Sequence, residues 1–148
     1  MSLTLLIVED NQTQQYVFKQ LCERFGYDAH FVGSGEDALS ALSLAQYAAV
    51  VMDVRLPGIS GIETVRQLRT MEKETGRCTP VIVVTADTST ETKTACMQAG
   101  MNDFLTKPFK IGEFRRILLR WVYQPHQPNL KLLDSTFDPE SIAHSDKA

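Results

Sequence analysis

Apolar runs and polar breaks alternate along the chain with a regular beat. Leu3 to Val8, Ala48 to Met52 and Val81 to Val84 are almost unbroken stretches of apolar or small residues. Runs this short and continuous, bounded by turn formers, predict strands buried on both faces. Tyr27 to Val32 and Asp103 to Thr106 predict two shorter strands. The segments between them carry helical spacing. Asn11 caps the first, with Val17, Leu21 and Phe25 on its inner face, Phe18 and Cys22 beside them, and Gly26 as its stop. Ser34 with Asp37, Ser60 with Glu63 and Thr88 with Glu91 have capping-box spacing and open the next three helices. Ala38, Leu39, Leu42 and Ala45 line the second, and Ile62, Val65 and Leu68 the third. The fourth, ending at Gly100, has only Ala95, Cys96, Met97 and Ala99 as candidate core contacts. A helix so weakly anchored is one that can shift. Phe114, Ile117, Leu118 and Trp121 mark the fifth.

Strand and helix thus alternate, which implies an α/β fold with a parallel sheet covered on both faces. Right-handed crossovers and short connections favour a doubly wound, flavodoxin-like sheet of five strands in the order 2-1-3-4-5. Residues 1–123 form that domain. From 124 to 148 prolines interrupt the pattern, and the segment reads as a C-terminal tail or linker in which Leu130-Lys131-Leu132-Leu133 can dock locally.

The full chain has 148 residues, 43% hydrophobic, with a formal net charge of −3. Nothing in that balance points to a nucleic-acid or membrane surface. No apolar run approaches the ~20 residues of a membrane span. Cys22, Cys78 and Cys96 form no paired motif and read as reduced thiols of a cytoplasmic protein.

The chemistry lies at the strand ends. Glu9-Asp10 follows the first strand, Asp53 the third, Thr85-Ala86-Asp87 the fourth and Lys107 the fifth. Each alone is an ordinary surface feature. In an open parallel sheet, however, ligands bind outside the carboxyl ends of the strands, and the first and third flank the switch point. Three carboxylates would then meet one ammonium, an excess of negative charge that raises their pKa values unless a cation joins them. Mg²⁺ suits such a site, since it takes one or two carboxylates, waters and phosphate oxygens. Asp53 would be free to act as a nucleophile toward phosphorus, with Lys107, the Thr85 hydroxyl and the Ala86 N–H donating to the phosphoryl oxygens. Arg55 and Asp87 each stand two residues beyond a site residue. Their opposite charges are expected to pair across the mouth of the crevice and to set the lifetime of the phosphorylated state.

The segments Ile7-Val8-Glu9-Asp10-Asn11, Met52-Asp53-Val54-Arg55-Leu56-Pro57-Gly58, Val84-Thr85-Ala86 and Asp103-Phe104-Leu105-Thr106-Lys107-Pro108-Phe109 resemble the receiver domain of two-component response regulators, most of all receivers of hybrid sensor kinases and phosphorelays. The resemblance covers residues 3–123. It implies that Asp53 takes a phosphoryl group from the phosphohistidine of a histidine kinase or histidine phosphotransfer protein. It implies that Mg²⁺ sits on Asp10, Asp53 and the backbone carbonyl of Arg55, with Glu9 acting through water. Lys107 would pair with the phosphoryl group, and its bond to Pro108 would be cis. Thr85 and Phe104 would be the switch pair, driving a face made of the fourth helix, last strand and fifth helix. That face would meet an output domain, a target protein or a second copy. Phe104 departs from the Tyr of many relatives, so its switching must work by ring packing. Such a protein is a phosphoacceptor with self-dephosphorylation, not a turnover enzyme on an external substrate. An aspartyl-phosphate phosphatase would need Asp where Arg55 stands, and a flavodoxin would not place Glu9-Asp10 beside a phosphate. The remaining alternative is a receiver-like interaction module that works without phosphorylation.

Overall fold

The computed structural model describes residues 3–123; the tail 124–148, including Leu130–Leu133, lies outside the described residues. Five strands and five helices alternate: β1 (Thr4–Val8), α1 (Gln12–Phe25), β2 (Asp28–Val32), α2 (Gly35–Leu44), β3 (Ala49–Met52), α3 (Gly61–Thr75), β4 (Val81–Thr85), α4 (Thr90–Ala99), β5 (Asp103–Thr106) and α5 (Ile111–Tyr123). The strands form one parallel sheet in the order β2-β1-β3-β4-β5.

The apolar runs are continuous because alternate residues serve opposite faces of the sheet. Leu5, Ile7, Val51, Ile82, Val84 and Leu105 pack with Phe18 of α1 and Phe114, Leu118 and Trp121 of α5. Their neighbours Leu6, Val8, Val50, Met52, Val81 and Val83 pack with Ala38 and Leu42 of α2, Val65 and Leu68 of α3, and Cys96 and Ala99 of α4. Trp121 is anchored as well as buried: its indole N–H donates to Asp103 Oδ2 at 2.7 Å.

The expected caps hold at Asn11, Ser34 and Ser60, whose side chains accept from Gln14, Asp37 and Glu63 N–H. At α4 the cap is Ser89, not Thr88: Ser89 Oγ accepts from Thr92 N–H at 3.2 Å. Two inner-face assignments also change. Val17 is 41% exposed, because α1 turns Phe18, Leu21 and Cys22 to the sheet. Ala45 is exposed as the C-cap of α2, and Ala41 takes the core position.

The Arg69 guanidinium, absent from the sequence expectations, ties the far end of α3 to two loops. It pairs with the buried Glu72 at 2.6 Å and donates to the carbonyls of Thr79 and Gly100 and to Asn102 Oδ1. Asn102 Oδ1 in turn accepts from Val81 N–H, so this network locks the start of β4 to the end of α4.

At the opposite edge, α3 begins hard against the end of β3. A Cβ on Gly61 would lie 2.5 Å from the Asp53 carbonyl oxygen and 3.0 Å from Val54 Cα, both backbone atoms that cannot swing aside. Gly61→Ala should therefore destabilise the domain by ~1–3 kcal/mol through overpacking. Gly112→Ala, where the added Cβ meets nothing within 4 Å, should stabilise it by up to ~1 kcal/mol. Denaturant unfolding of the two variants checks both signs.

Candidate functional site

The strand register brings the strand-end residues together. Val8 lies opposite Met52, so Glu9 and Asp53 follow side by side. Thr85 lies opposite Thr106, and Lys107 N–H donates to the Thr85 carbonyl at 2.9 Å, so Lys107 leaves the sheet beside Thr85. Its ammonium then reaches back across the sheet end, 3.0 Å from Asp53 Oδ2 and 3.5 Å from Glu9 Oε1. The Lys107–Pro108 peptide bond is cis. Above these groups a cleft of about 610 Å³ opens between Asp53, Arg55, Thr85, Ala86, Asp87 and Lys107.

The carboxylates stand in unequal surroundings. Glu9 is 4% exposed, and burial raises its pKa against the opposing pull of the Asn11 N–H and Lys107. Its backbone carbonyl accepts from the Gln15 side-chain amide at 2.6 Å, which ties α1 to the site. Asp10 is exposed at the rim. Asp53 is half-buried, with Oδ1 accepting from Arg55 N–H at 3.1 Å and Oδ2 facing Lys107. Among the described residues, no three His, Cys, Asp or Glu side chains are gathered as a ready-made set of metal ligands. The donors present are hard oxygens, and Glu9 is a buried carboxylate whose charge a cation would relieve. That chemistry fits Mg²⁺, which completes its shell with carbonyls and water.

Thr85 is buried, and its hydroxyl accepts from Asp87 N–H at 3.2 Å. Phe104 is half-buried on β5, with the Lys93 ammonium of α4 5.8 Å from its ring centroid. Arg55 and Asp87 both line the cleft, but they do not meet as the expected ion pair. Asp87 is turned to α4 instead: Oδ1 accepts from Ser89 N–H at 3.0 Å and Oδ2 from the Thr92 hydroxyl at 2.7 Å. These bonds, Thr92 foremost, lower its pKa to about 2; the Arg55 charge contributes least.

Beside the cleft lies a second groove of about 610 Å³, lined by Val17, Tyr16 and Gln14 of α1 and by Lys107, Pro108, Phe109 and Ile111. Tyr16 is 64% and Ile111 47% exposed. The sequence reading missed this groove because it placed Val17 in the core.

A doubly wound sheet carrying an acidic pair, a lone aspartate, a threonine and a lysine at consecutive strand ends defines the receiver class of domain. The chain belongs to the response regulator receiver domain family, which matches residues 5–119. It is 36% identical over 107 residues to the sensory/regulatory protein RpfC of Xanthomonas campestris, covering 72% of this chain and 15% of RpfC. It is 34% identical over 144 residues to the transcriptional regulatory protein HprR of Escherichia coli, covering 97% of this chain and 62% of HprR. The chain thus spans only part of the curated relatives it matches. The receiver domain of sensor histidine kinase PA1611 from Pseudomonas aeruginosa superposes with a TM-score of 0.77 at 38% identity, over 84% of this chain and all of that one. That structure holds a magnesium ion coordinated in its active site cleft. The yeast receiver domain of Ssk1, solved with the histidine phosphotransfer protein Ypd1, superposes with a TM-score of 0.77 at 25% identity, over 90% of this chain and 97% of that one. The protein is therefore a receiver domain of two-component signalling. Among the described residues no helix is long and apolar enough to cross a membrane.

The Asp87 contacts carry a pH dependence. A folded pKa of about 2 lies below the ordinary ~3.9, so they contribute stability that is full above about pH 4 and is lost as pH falls toward 2. Thr92→Val removes the largest cause. In a carboxyl NMR titration the Asp87 midpoint should rise toward its ordinary value in that variant, while an unchanged midpoint would contradict the assignment.

Proposed function

We propose that Asp53 accepts a phosphoryl group from a partner's phosphohistidine. The observation that carries this is the Lys107 ammonium, 3.0 Å from Asp53 Oδ2 at the floor of an open cleft. One Asp53 oxygen attacks phosphorus as the phosphorus–nitrogen bond breaks, and the histidine keeps the electron pair. Lys107 stabilises negative charge on the moving group's oxygens, and the Thr85 hydroxyl and Ala86 N–H donate to the others. Asp10, Asp53 and the carbonyl of Arg55 would hold Mg²⁺, with Glu9 acting through water. When bound, the cation adds positive charge opposite the phosphoryl oxygens. Arg55, at the cleft mouth, would obstruct the water that hydrolyses the product, prolonging the phosphorylated state. Asp87, lining the same cleft, would share in setting that lifetime by shaping the water's approach. Residues 1–123 would form the receiver unit, with 124–148 as tail or linker, in a cytoplasmic protein.

Incubating the chain with Mg²⁺ and a small phosphodonor, then measuring intact mass, tests this. The wild type should gain one phosphoryl group, Asp53→Ala none, and Arg55→Ala should gain it but lose it faster. Full labelling of Asp53→Ala would remove Asp53 from its role, and a wild type that takes up no phosphoryl group would leave the phosphorylation-independent module as the better reading.

The donor's docking place follows from the same geometry. A phosphohistidine must reach Asp53, so its protein must pack directly beside the cleft. The groove along α1 shares Lys107 and Ala86 with the cleft and exposes Tyr16, Val17 and Ile111. A histidine phosphotransfer protein or kinase with an apolar helix face suits it, as helix-in-groove recognition does generally. Val17→Glu should slow transfer from a phosphorylated phosphotransfer protein at least ~10-fold, the effect of ~1.4 kcal/mol. Labelling by the small phosphodonor should not change. Equal slowing of both reactions would place the effect in the chemistry instead.

A further inference from the structure

We propose that Gln15 is a positioning residue for the cation, its side-chain amide fixing the backbone from which Glu9 and Asp10 both project. This rests on the cation reading given above for Asp10, Asp53 and the Arg55 carbonyl, and adds what holds the first of those ligands in place.

Glu9, Asp10 and Asn11 lie between β1, which ends at Val8, and α1, which begins at Gln12. This short segment sends two neighbouring side chains to different places. Glu9 goes inward, 4% exposed, with Oε1 3.5 Å from the Lys107 ammonium, while Asp10 stays exposed at the rim. Backbone bonds tie both ends of the segment. Glu9 N–H donates to the Val32 carbonyl at 2.9 Å, and the Asn11 carbonyl accepts from Gln15 N–H at 2.9 Å. Asn11 N–H also donates to Glu9 Oε2 at 3.2 Å. The peptide unit between Glu9 and Asp10 is held by a further contact, in which the Glu9 carbonyl accepts from Gln15 Nε2 at 2.6 Å. A peptide unit is planar, so holding that carbonyl also fixes Asp10 N and Cα. It thereby sets the direction in which the Asp10 carboxylate leaves the chain.

Gln15 suits this task by place and by chemistry. Side chains of a helix lean toward its N-terminus, so one in the first turn covers the loop ahead of the helix. Gln15 is half-buried there, four residues beyond the Asn11 cap. Its amide donates while carrying no charge. A lysine or arginine side chain also donates, but it would put a positive charge beside a cation site, and like charges repel. A neutral donor holds the backbone without opposing Mg²⁺.

The test titrates the full chain, wild type and Gln15→Met, with MgCl₂ and follows the Asp10 and Arg55 amide shifts by NMR. Labelling by a small phosphodonor is timed at each Mg²⁺ concentration. Gln15→Met, of similar length but without a donor, should bind Mg²⁺ ~10-fold more weakly, as befits a group that orients a metal ligand from outside its shell. Its labelling should need correspondingly more Mg²⁺ yet reach the wild-type rate at saturation, a split that a general loss of stability does not produce. Gln15→Glu separates position from charge. Its added carboxylate favours Mg²⁺ by charge alone but donates nothing, so its affinity should fall as well. Unchanged affinity in Gln15→Met, a labelling rate that stays low at saturating Mg²⁺, or an undiminished affinity in Gln15→Glu overturns the role given to Gln15. A Gln15→Met that does not fold leaves the decision to Gln15→Glu. Wild-type shifts indifferent to Mg²⁺ would instead overturn the cation reading, and this proposal with it.

Discussion

The Lys107 ammonium sits between two carboxylates that the sheet forces together, and the rest of the site is arranged around it. Parallel pairing of β1 with β3 leaves Glu9 and Asp53 side by side at the edge of an apolar sheet, with Glu9 almost wholly buried. Like charges in such a place oppose folding unless a cation stands near. Lys107 answers from the far side of β4, across the sheet order. A cation placed this way stabilises the resting protein, and in the proposed reaction it would face the position where charge develops when phosphorus meets Asp53. Under that proposal, stability and chemistry depend on the same three side chains.

Around that centre the fold distributes rigidity unevenly. At the N-terminal ends of the strands, Arg69 locks the end of α3, the start of β4 and the end of α4 into one network. At the C-terminal ends, the loop from Thr85 to Ser89 is held by hydrogen bonds that pass through a half-exposed Asp87.

The groove beside α1 shows the same economy. Turning Phe18, Leu21 and Cys22 inward leaves Tyr16 and Val17 outward, next to Pro108 and Ile111. The apolar surface left over on the solvent side borders the cleft, where a phosphate donor would have to lie. Core and proposed docking surface are two faces of one helix.

Much of this was determined by the sequence alone. Strands buried on both faces are written as local apolar runs, and Asn11, Ser34 and Ser60 announce helix starts through bonds to residues three positions on. Alternation of strand and helix then restricts the topology so strongly that the order 2-1-3-4-5, and the meeting of Glu9, Asp53 and Lys107, could be expected. Tertiary structure decided what short-range patterns leave open. Whether Val17 or Phe18 faces the sheet depends on a rotation of α1 that both spacings allow. Ser89 rather than Thr88 caps α4, because the loop path fixes which hydroxyl lies over the helix end. Asp87 joins Thr92 instead of Arg55, and Arg69 finds the Gly100 carbonyl 31 residues away, because hydrogen bonds form with whatever donor or acceptor lies within reach once the chain has packed. Period and capping are properties of neighbours in sequence; those contacts are properties of neighbours in space.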